Sequence, residues 1–217
     1  MNLLKPKAIL FDWDNTLVDS WAVIFDALNF TLESFGKKPW SLIETKTQVR
    51  KSLRDSFPDL FGKEWEKAED VFYRRFNDIH ISQLSPIEGA QTMLESLLEQ
   101  GLYMGVVSNK RGEYLRKEVR YLGWDKYFSS LIGATDAKND KPSPEPVALA
   151  LSGCAHKSGA HIWFVGDADI DMECAINSKL SPILLREEPP RPEEFSDHPP
   201  AFHIVDCQAL SNLVENM

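Results

Sequence analysis

The sequence predicts an α/β fold in which a doubly wound parallel sheet carries a small inserted domain made only of helices. Short apolar runs alternate with helical patterns along most of the 217 residues. A cluster of polar residues follows each apolar run, and residues 20–85 interrupt the alternation with helical patterns alone. Alternation of strands and helices is typical of parallel sheets with helices on both faces.

Four apolar runs are the predicted core strands. Each is short, continuous and bounded by polar residues, as expected of strands that are buried on both faces. They comprise Lys7–Phe11, Tyr103–Val107, Leu131–Ala134 and His161–Val165. Because parallel strands end at the same edge of a sheet, the polar residues that follow the runs are expected to converge there.

Helices are predicted where apolar residues recur at three- and four-residue spacing. In the alternating part these segments are Glu88–Gln100, Arg111–Leu122 and Ala168–Lys179. Two further apolar stripes lie in the insertion and comprise Trp21, Ile24, Phe25, Leu28, Leu32 and Phe35, and Trp65, Ala68, Val71, Phe72 and Phe76. We therefore divide the chain into a core, residues 1–19 and 86–217, and an insertion, residues 20–85.

The end of the chain has a different composition. Residues 187–200 are too rich in proline for regular structure, and after them we expect a short strand from Phe202 to Val205 and a final helix.

Composition argues against several classes of partner. The formal net charge of -9, with a pI near 5.1, provides no basic surface for nucleic-acid backbones or anionic membranes. The sequence has neither a secretion signal nor an apolar run of about 18 residues. The three cysteines are widely spaced and are expected to be reduced thiols. We expect a cytoplasmic protein that binds a small molecule; the composition does not indicate an oligomeric state.

Acidic residues after the first and fourth runs form the first candidate site. Asp12 and Asp14 follow the first run, and neighbouring carboxylates resist burial unless a cation or a catalytic role accompanies them. Taken alone, the pair is also typical of an ordinary turn. The segment from Gly166-Asp167 to Asp171 adds two acids at the same predicted edge. Such a cluster of oxygen ligands suits Mg²⁺.

The second and third runs are followed by groups that suit a phosphate. Ser108-Asn109-Lys110 places a hydroxyl and backbone amides before a predicted helix, where anions bind well, although an ordinary helix cap would use the same serine. Lys141 lies in the turn that follows the third run. A lysine in a loop is more often a solvated charge.

Taken jointly, these residues resemble the haloacid dehalogenase-like hydrolase superfamily, and within it the phosphoglycolate phosphatase-like branch with a helical cap. The four motifs of the superfamily fall in order between Lys7 and about Leu185. The first falls on Asp12, Asp14, Thr16 and Leu17, the second on Ser108, the third on Lys141, and the fourth on Gly166, Asp167 and Asp171. Asn15 departs from the glycine that relatives commonly have, but asparagine tolerates a left-handed backbone. The resemblance implies a Rossmann-like core and a mobile cap that closes over the site.

The resemblance also implies a role for each residue. Asp12 is the expected nucleophile, Asp14 the general acid and base, and Ser108 and Lys141 the groups that hold the transferring oxygens. Mg²⁺ is expected on Asp12, the Asp14 carbonyl and Asp167. Supporting roles are expected for Thr16, Asn109 and Asp171, the last of which would orient Lys141 or a metal-bound water.

Substrate specificity is expected to depend on the insertion. Its most basic stretch contains Arg50 and Arg54, either of which could recognise a second anionic group of the substrate. A solvated helix face would account for the same arginines. The sequence does not identify that substrate, and phosphoglycolate is a candidate only by resemblance.

The expected function is therefore that of a Mg²⁺-dependent phosphatase, which hydrolyses a small phosphate monoester through an aspartyl-phosphate. Two alternatives remain open. A phosphomutase would use the same intermediate but return the phosphoryl group to a sugar phosphate. A non-catalytic binding protein would retain the fold without turnover.

Overall fold

Six parallel strands flanked by helices form the main sheet of the computed structural model, which describes residues 3–49, 51–191 and 193–217. In chain order the strands are β1 Ala8–Phe11, β2 Val18–Asp19, β3 Ser85–Pro86, β4 Tyr103–Arg111, β5 Ser130–Ala134, β6 Ile162–Gly166, β7 Ser181–Leu185 and β8 Phe202–Ile204. The main sheet has the order β5-β4-β1-β6-β7-β8, while β2 and β3 form a separate two-stranded sheet. The predicted α/β class and its parallel sheet are confirmed.

The position of β1 determines where a site can form. Its four residues are completely buried, and it pairs with β4 on one side and with β6 on the other. The chain first adds β4 and β5 on one side of β1 and then returns to add β6, β7 and β8 on the opposite side. Such a reversal of strand order leaves a crevice at the carboxyl ends of the central strands, where α/β proteins bind their ligands.

Strand β7 is absent from the predicted set of strands, and Pro182 explains why. A proline within an apolar run argues against a central strand because it lacks a backbone N–H. In the structure Pro182 nevertheless lies in register with Phe164 of β6, and its carbonyl accepts a hydrogen bond from the Ala201 amide at 2.8 Å. The sheet therefore extends one strand further than the sequence pattern indicates.

The helices are α1 Trp21–Ser34, α2 Leu42–Gln48, α3 Leu53–Phe61, α4 Trp65–Ile79, α5 Ala90–Glu99, α6 Gly112–Tyr121, α7 Glu145–Ala150, α8 Asp169–Asn177 and α9 Cys207–Glu215. The three predicted helices of the core correspond to α5, α6 and α8, and the predicted terminal strand and helix correspond to β8 and α9. None of the helices in the described ranges is long and apolar enough to cross a bilayer.

The chain divides into two compact units, one of residues 1–18 and 86–217 and the other of residues 19–85. The second unit is built from helices, as predicted, but the buried face of α1 differs from the predicted stripe. That face comprises Val23, Ala27, Leu28, Thr31 and Leu32, so that of the predicted set only Leu28 and Leu32 are buried. Apolar residues occur on more than one side of α1, and the pattern alone did not distinguish the sides. In α4, Ala68, Phe72 and Phe76 are buried as predicted.

The proline-rich stretch contains no helix or strand in its described residues, yet it is attached to the core. Arg186, at the end of β7, donates to both carboxylate oxygens of Glu194 at 2.7 Å. The same guanidinium donates to the backbone carbonyl of Asp167 at 3.2 Å and lies over the buried ring of Phe195. One arginine therefore connects this stretch to the loop that follows β6.

Glu194→Gln is expected to lower the free energy of unfolding by about 1–2 kcal/mol at pH 7, because it replaces a charged hydrogen-bonding partner of Arg186. The hydrogen bonds from Arg186 lower the pKa of Glu194 to about 2. Since the folded-state pKa lies below that of the unfolded chain, this stabilisation is present above about pH 4.5 and is lost as the pH falls towards 2.

Urea unfolding of both proteins at pH 7 and at pH 3.5 tests this expectation, with the exposed neighbour Glu193→Gln as the control. The difference in unfolding free energy between Glu194→Gln and the unsubstituted protein should be smaller at pH 3.5. An equal difference at both pH values would show that the carboxylate charge does not carry the effect.

Candidate active site

Asp12 lies at the carboxyl end of β1, in the crevice between β4 and β6. Its backbone amide donates to the Val165 carbonyl at 2.8 Å, which continues the pairing with β6 by one residue. Only 7% of the residue is exposed. The central position of β1 thus places a carboxylate among the ends of three adjacent strands.

Lys141 lies between two carboxylates. Its ammonium group donates to Asp12 Oδ1 at 2.6 Å and to Asp171 Oδ1 at 2.7 Å, and the side chain is 2% exposed. Burial alone would lower the pKa of Lys141, but Asp12 and Asp171 outweigh burial and raise it. Lys141 is therefore a fixed positive charge and not the solvated loop lysine that the sequence also allowed.

The backbone of Lys141 is held by Asn109, at the end of β4. The Asn109 side chain donates to the Lys141 carbonyl at 3.2 Å and accepts from the Lys141 amide at 3.0 Å. These paired hydrogen bonds join the loop after β5 to β4. Asn109 thus fixes the backbone of Lys141, and the supporting role expected of Asn109 in catalysis stays a prediction.

Asp12, Asp167 and Asp171 form a cluster in which one oxygen of each carboxylate lies within 4.8 Å of the others. Burial, followed by the charges of Asp171 and Asp14, raises the pKa of Asp12 to about 7 against the opposing effect of Lys141. Burial, Asp171 and Asp12 raise the pKa of Asp167 well above its ordinary value. The Lys141 ammonium contacts two of these three carboxylates, Asp12 and Asp171, so the cluster has more acidic groups than positive charges.

These ligands fit a magnesium ion. All of them are oxygen atoms, which Mg²⁺ prefers, and a divalent cation would offset the negative charge that raises the pKa values. The cluster contains Asp12 and Asp167, two of the three expected metal ligands. It also contains Asp171, whose Oδ1 accepts from Lys141.

The loop after β6 places Asp167 and Asp171 through local contacts. The Ala168 amide donates to Asp171 Oδ2 at 3.1 Å at the start of α8, and Thr16 donates to Asp167 Oδ1 at 3.3 Å. A Cβ atom at Gly166 would collide with the Asp171 side chain. The glycine of this motif is therefore required by the close approach of Asp171 to the end of β6.

The carboxylate of Asp14 contacts a different lysine. Its Oδ1 accepts from Lys110 Nζ at 2.6 Å, and the side chain is 18% exposed. Asn15, the next residue, has φ 62°, the left-handed conformation that asparagine was expected to tolerate. Its amide donates to the Val18 carbonyl at 2.6 Å and closes the turn.

Ser108 is buried, but it does not cap a helix. The sequence placed a helix directly after Ser108-Asn109-Lys110, whereas β4 continues to Arg111 and α6 begins at Gly112. The reason is that Arg111 still pairs with Ala134 of β5, after an irregular stretch beyond Val107. The Ser108 hydroxyl accepts from the Lys110 amide at 3.1 Å. The serine thus lies within β4, at the start of the stretch where its pairing with β5 is irregular.

The two arginines proposed for substrate recognition belong to the insertion. Arg54 lies in α3 of the helical unit, where it is half-buried, and Arg50 lies outside the described residues. Recognition of a second anionic group by Arg54 stays a prediction.

Glu118, which contacts residues around Asp14, was not identified from the sequence. Glu118 in α6 is 1% exposed and accepts from Lys110 Nζ at 2.6 Å and from Trp13 Nε1 at 2.7 Å. Its position beside Leu115 and Val119, on the buried face of α6, is the signal that could have identified it. A carboxylate on an apolar helix face needs a buried partner.

Comparisons with known proteins agree with this geometry. The sequence model of the protein family described as haloacid dehalogenase-like hydrolase matches residues 9–184. Pyrophosphatase PpaX of Halalkalibacterium halodurans is 29% identical over 172 residues, which cover 78% of each chain. Phosphoglycolate phosphatase of Rhodobacter capsulatus is 28% identical over 217 residues, with 96% of each chain covered. The crystal structure of a HAD-superfamily hydrolase from Ehrlichia chaffeensis is 28% identical, has a TM-score of 0.68, and covers 99% of this chain and 98% of its own.

Proposed function

The chain belongs to the haloacid dehalogenase-like hydrolase family, and from this premise we propose that it is a Mg²⁺-dependent phosphatase acting on a small phosphate monoester through an aspartyl-phosphate. The observation that carries the proposal is the buried Lys141 ammonium, which bridges Asp12 and Asp171 beside Asp167. This arrangement provides an immobilised nucleophile next to a positive charge and a cluster of oxygen ligands. Covalent phosphoryl transfer to a carboxylate needs these three elements.

In the first step, a carboxylate oxygen of Asp12 attacks phosphorus in line with the departing alcohol oxygen. A P–O bond to Asp12 forms, the bond to the alcohol breaks, and Asp14 donates a proton to the leaving oxygen. Lys141 donates a hydrogen bond to Oδ1 of Asp12. This contact fixes the attacking carboxylate and orients its second oxygen. Ser108 and Lys141 donate to the phosphoryl oxygens as their charge redistributes.

In the second step, water attacks the phosphorus of the aspartyl-phosphate. Asp14, now ionised, takes a proton from this water, phosphate is released, and the Asp12 carboxylate is regenerated. Asp14 therefore returns to its initial protonated state at the end of the cycle. The same residue serves as acid and then as base.

Asp12, Asp167 and the backbone carbonyl of Asp14 would hold the magnesium ion, with Asp171 next to them orienting Lys141. The ion supplies positive charge that reduces the repulsion between the anionic nucleophile and the phosphate. Thr16 supports this arrangement by holding one oxygen of Asp167. The oxygen-only cluster and its negative charge favour Mg²⁺ over softer metals.

The names of two relatives suggest candidate substrates. Phosphoglycolate, a phosphate monoester, is suggested by the relative that is 28% identical, and pyrophosphate, an anhydride whose leaving group is phosphate, by the relative that is 29% identical. We propose the helical unit as the cap that contacts the non-reacting part of the substrate, with Arg54 as a candidate contact. A soluble metabolite in the cytoplasm is the proposed partner, in keeping with the net charge of -9.

The test is hydrolysis of p-nitrophenyl phosphate, phosphoglycolate, pyrophosphate and a panel of sugar phosphates, with EDTA and with Mg²⁺. Hydrolysis is expected only with the metal. Asp167→Asn is expected to raise the Mg²⁺ concentration at half-maximal rate by at least about tenfold, because it weakens a ligand.

The alternatives have distinct outcomes in this experiment. Metal-independent hydrolysis would contradict the proposed site. Binding without turnover on the whole panel would favour the non-catalytic protein. Transfer of the phosphoryl group to a sugar phosphate, in place of release as inorganic phosphate, would favour the phosphomutase.

A further inference from the structure

A series of hydrogen-bonded polar side chains leads from Glu118 through Lys110 to Asp14. Lys110 Nζ lies between Asp14 Oδ1 and Glu118 Oε2 and donates to each at 2.6 Å. The side chain of Glu118 is 1% exposed, that of Lys110 is 5% exposed and that of Asp14 is 18% exposed. Glu118 is therefore the most buried residue of this series, and Asp14 is the most exposed.

Glu118 is itself held by the residue that precedes Asp14. Trp13 Nε1 donates to Glu118 Oε2 at 2.7 Å, and the indole is completely buried against Trp124 and Phe128, at ring-centroid distances of 5.8 and 6.5 Å. Since Trp13 and Asp14 are consecutive, Glu118 fixes two neighbouring side chains, Trp13 directly and Asp14 through Lys110. The contacts form a closed ring that joins the loop after β1, the last part of β4 and helix α6.

A stabilising role alone does not account for this ring. Burying a lysine and a glutamate has a desolvation cost, and apolar residues of similar size often serve stability equally well. Burial alone would lower the pKa of Lys110, but Asp14 and Glu118 raise it, so the ammonium persists. What the ring provides is a defined orientation of the Asp14 carboxylate.

We propose that Lys110, anchored by Glu118, is a positioning residue that holds the Asp14 carboxylate in the orientation required for proton transfer to the leaving oxygen. The proposal rests on the proposed function, in which Asp14 is the general acid. Lys110 donates to Asp14 Oδ1, which restricts the rotation of the carboxyl group. Oδ2 is then the oxygen that would give its proton to the leaving group. A displacement of about 1 Å at such a group lowers a rate by about a hundredfold.

The test uses the basicity of the leaving group. An alkoxide, as in phosphoglycolate, leaves poorly without a proton, whereas p-nitrophenolate leaves without one. In a mechanism with a covalent intermediate, kcat/KM covers only the steps up to departure of the leaving group. Lys110→Met is expected to lower kcat/KM by about 10–100-fold for the most active alkyl phosphate of the panel and by less than about threefold for p-nitrophenyl phosphate.

Two further variants complete the experiment. Lys117→Met removes an exposed lysine of α6, the helix that contains Glu118, and is expected to match the unsubstituted protein on both substrates. Because Lys110→Met leaves a buried carboxylate, the double variant Lys110→Met, Glu118→Gln removes both charges and keeps an acceptor for Trp13 Nε1. It is expected to fold and to show the same selective loss on the alkyl phosphate.

The outcomes separate this proposal from the proposed function. Equal loss on both substrates, no loss on either, or failure of the double variant to fold would assign the ring to stability and overturn the positioning role. If the unsubstituted protein hydrolyses neither substrate, the proposed function fails and the positioning role fails with it. Selective loss on the alkyl phosphate supports both.

Discussion

Asp12→Asn is expected to reduce phosphatase activity by at least about a thousandfold while the protein remains folded. An amide oxygen is a much weaker nucleophile than a carboxylate and cannot form the aspartyl-phosphate. The fold should tolerate the change because the site already disfavours the charge of Asp12, whose pKa burial raises to about 7. The amide oxygen can still accept the hydrogen bond that Lys141 donates.

Turnover of the best substrate under saturating Mg²⁺ measures this loss. Mass spectrometry of acid-quenched enzyme should detect one added phosphoryl group on the unsubstituted protein and none on the variant. Asp125→Asn, at an exposed turn of the same unit, is the matched control and should retain full activity. An active Asp12→Asn enzyme would refute the assignment of the nucleophile.

Lys141→Met is expected to lower the free energy of unfolding by about 3–5 kcal/mol in the absence of metal, in addition to abolishing turnover. Removal of the ammonium leaves Asp12 and Asp171 buried together without the positive charge that they share. Removing one partner of a buried ion pair destabilises a protein by more than the pair as a whole stabilises it, because the remaining buried charge has no partner. Methionine retains most of the side-chain volume, which isolates the effect of the charge.

Urea unfolding with EDTA and with Mg²⁺ tests this second expectation. Mg²⁺ should stabilise the variant more than the unsubstituted protein, because the variant site has one more uncompensated negative charge and binds the cation more tightly. Lys138→Met, in the same loop but exposed, is the control. Unchanged stability of Lys141→Met would mean that the carboxylates do not depend on the lysine.

The sequence predicted the convergence of the acids because that convergence follows from local patterns. Continuous apolar runs identified β1, β4, β5 and β6, and parallel pairing then brought the residues after them to one edge. Asp12 and Asp167 could therefore be assigned to a single site from periodicity and spacing. Their supporting partner Thr16 was assigned by resemblance to the family motif.

Contacts that depend on tertiary packing were less accessible. Lys141 is 129 residues from Asp12 and 30 from Asp171 along the chain, so nothing local distinguished it from a solvated loop lysine. The ring of Glu118, Lys110 and Trp13 likewise depends on α6 packing against the loop after β1. Local rules were also misleading at Pro182, where main-chain pairing outweighed the usual exclusion of proline. The helix expected from Arg111, in contrast, begins one residue later, at Gly112.

The central place of β1 in the sheet also affects how the chain is made. Its buried apolar residues are made before those of its two partner strands, because β4 begins only at Tyr103 and β6 only at Ile162. At a translation rate of about 5–20 residues per second, β1 waits for several seconds without a partner on either side. During this interval it is a short hydrophobic segment exposed in a nascent chain, which is a site for aggregation or for chaperone binding. The strand that places Asp12 is thus a segment that needs protection before the sheet closes.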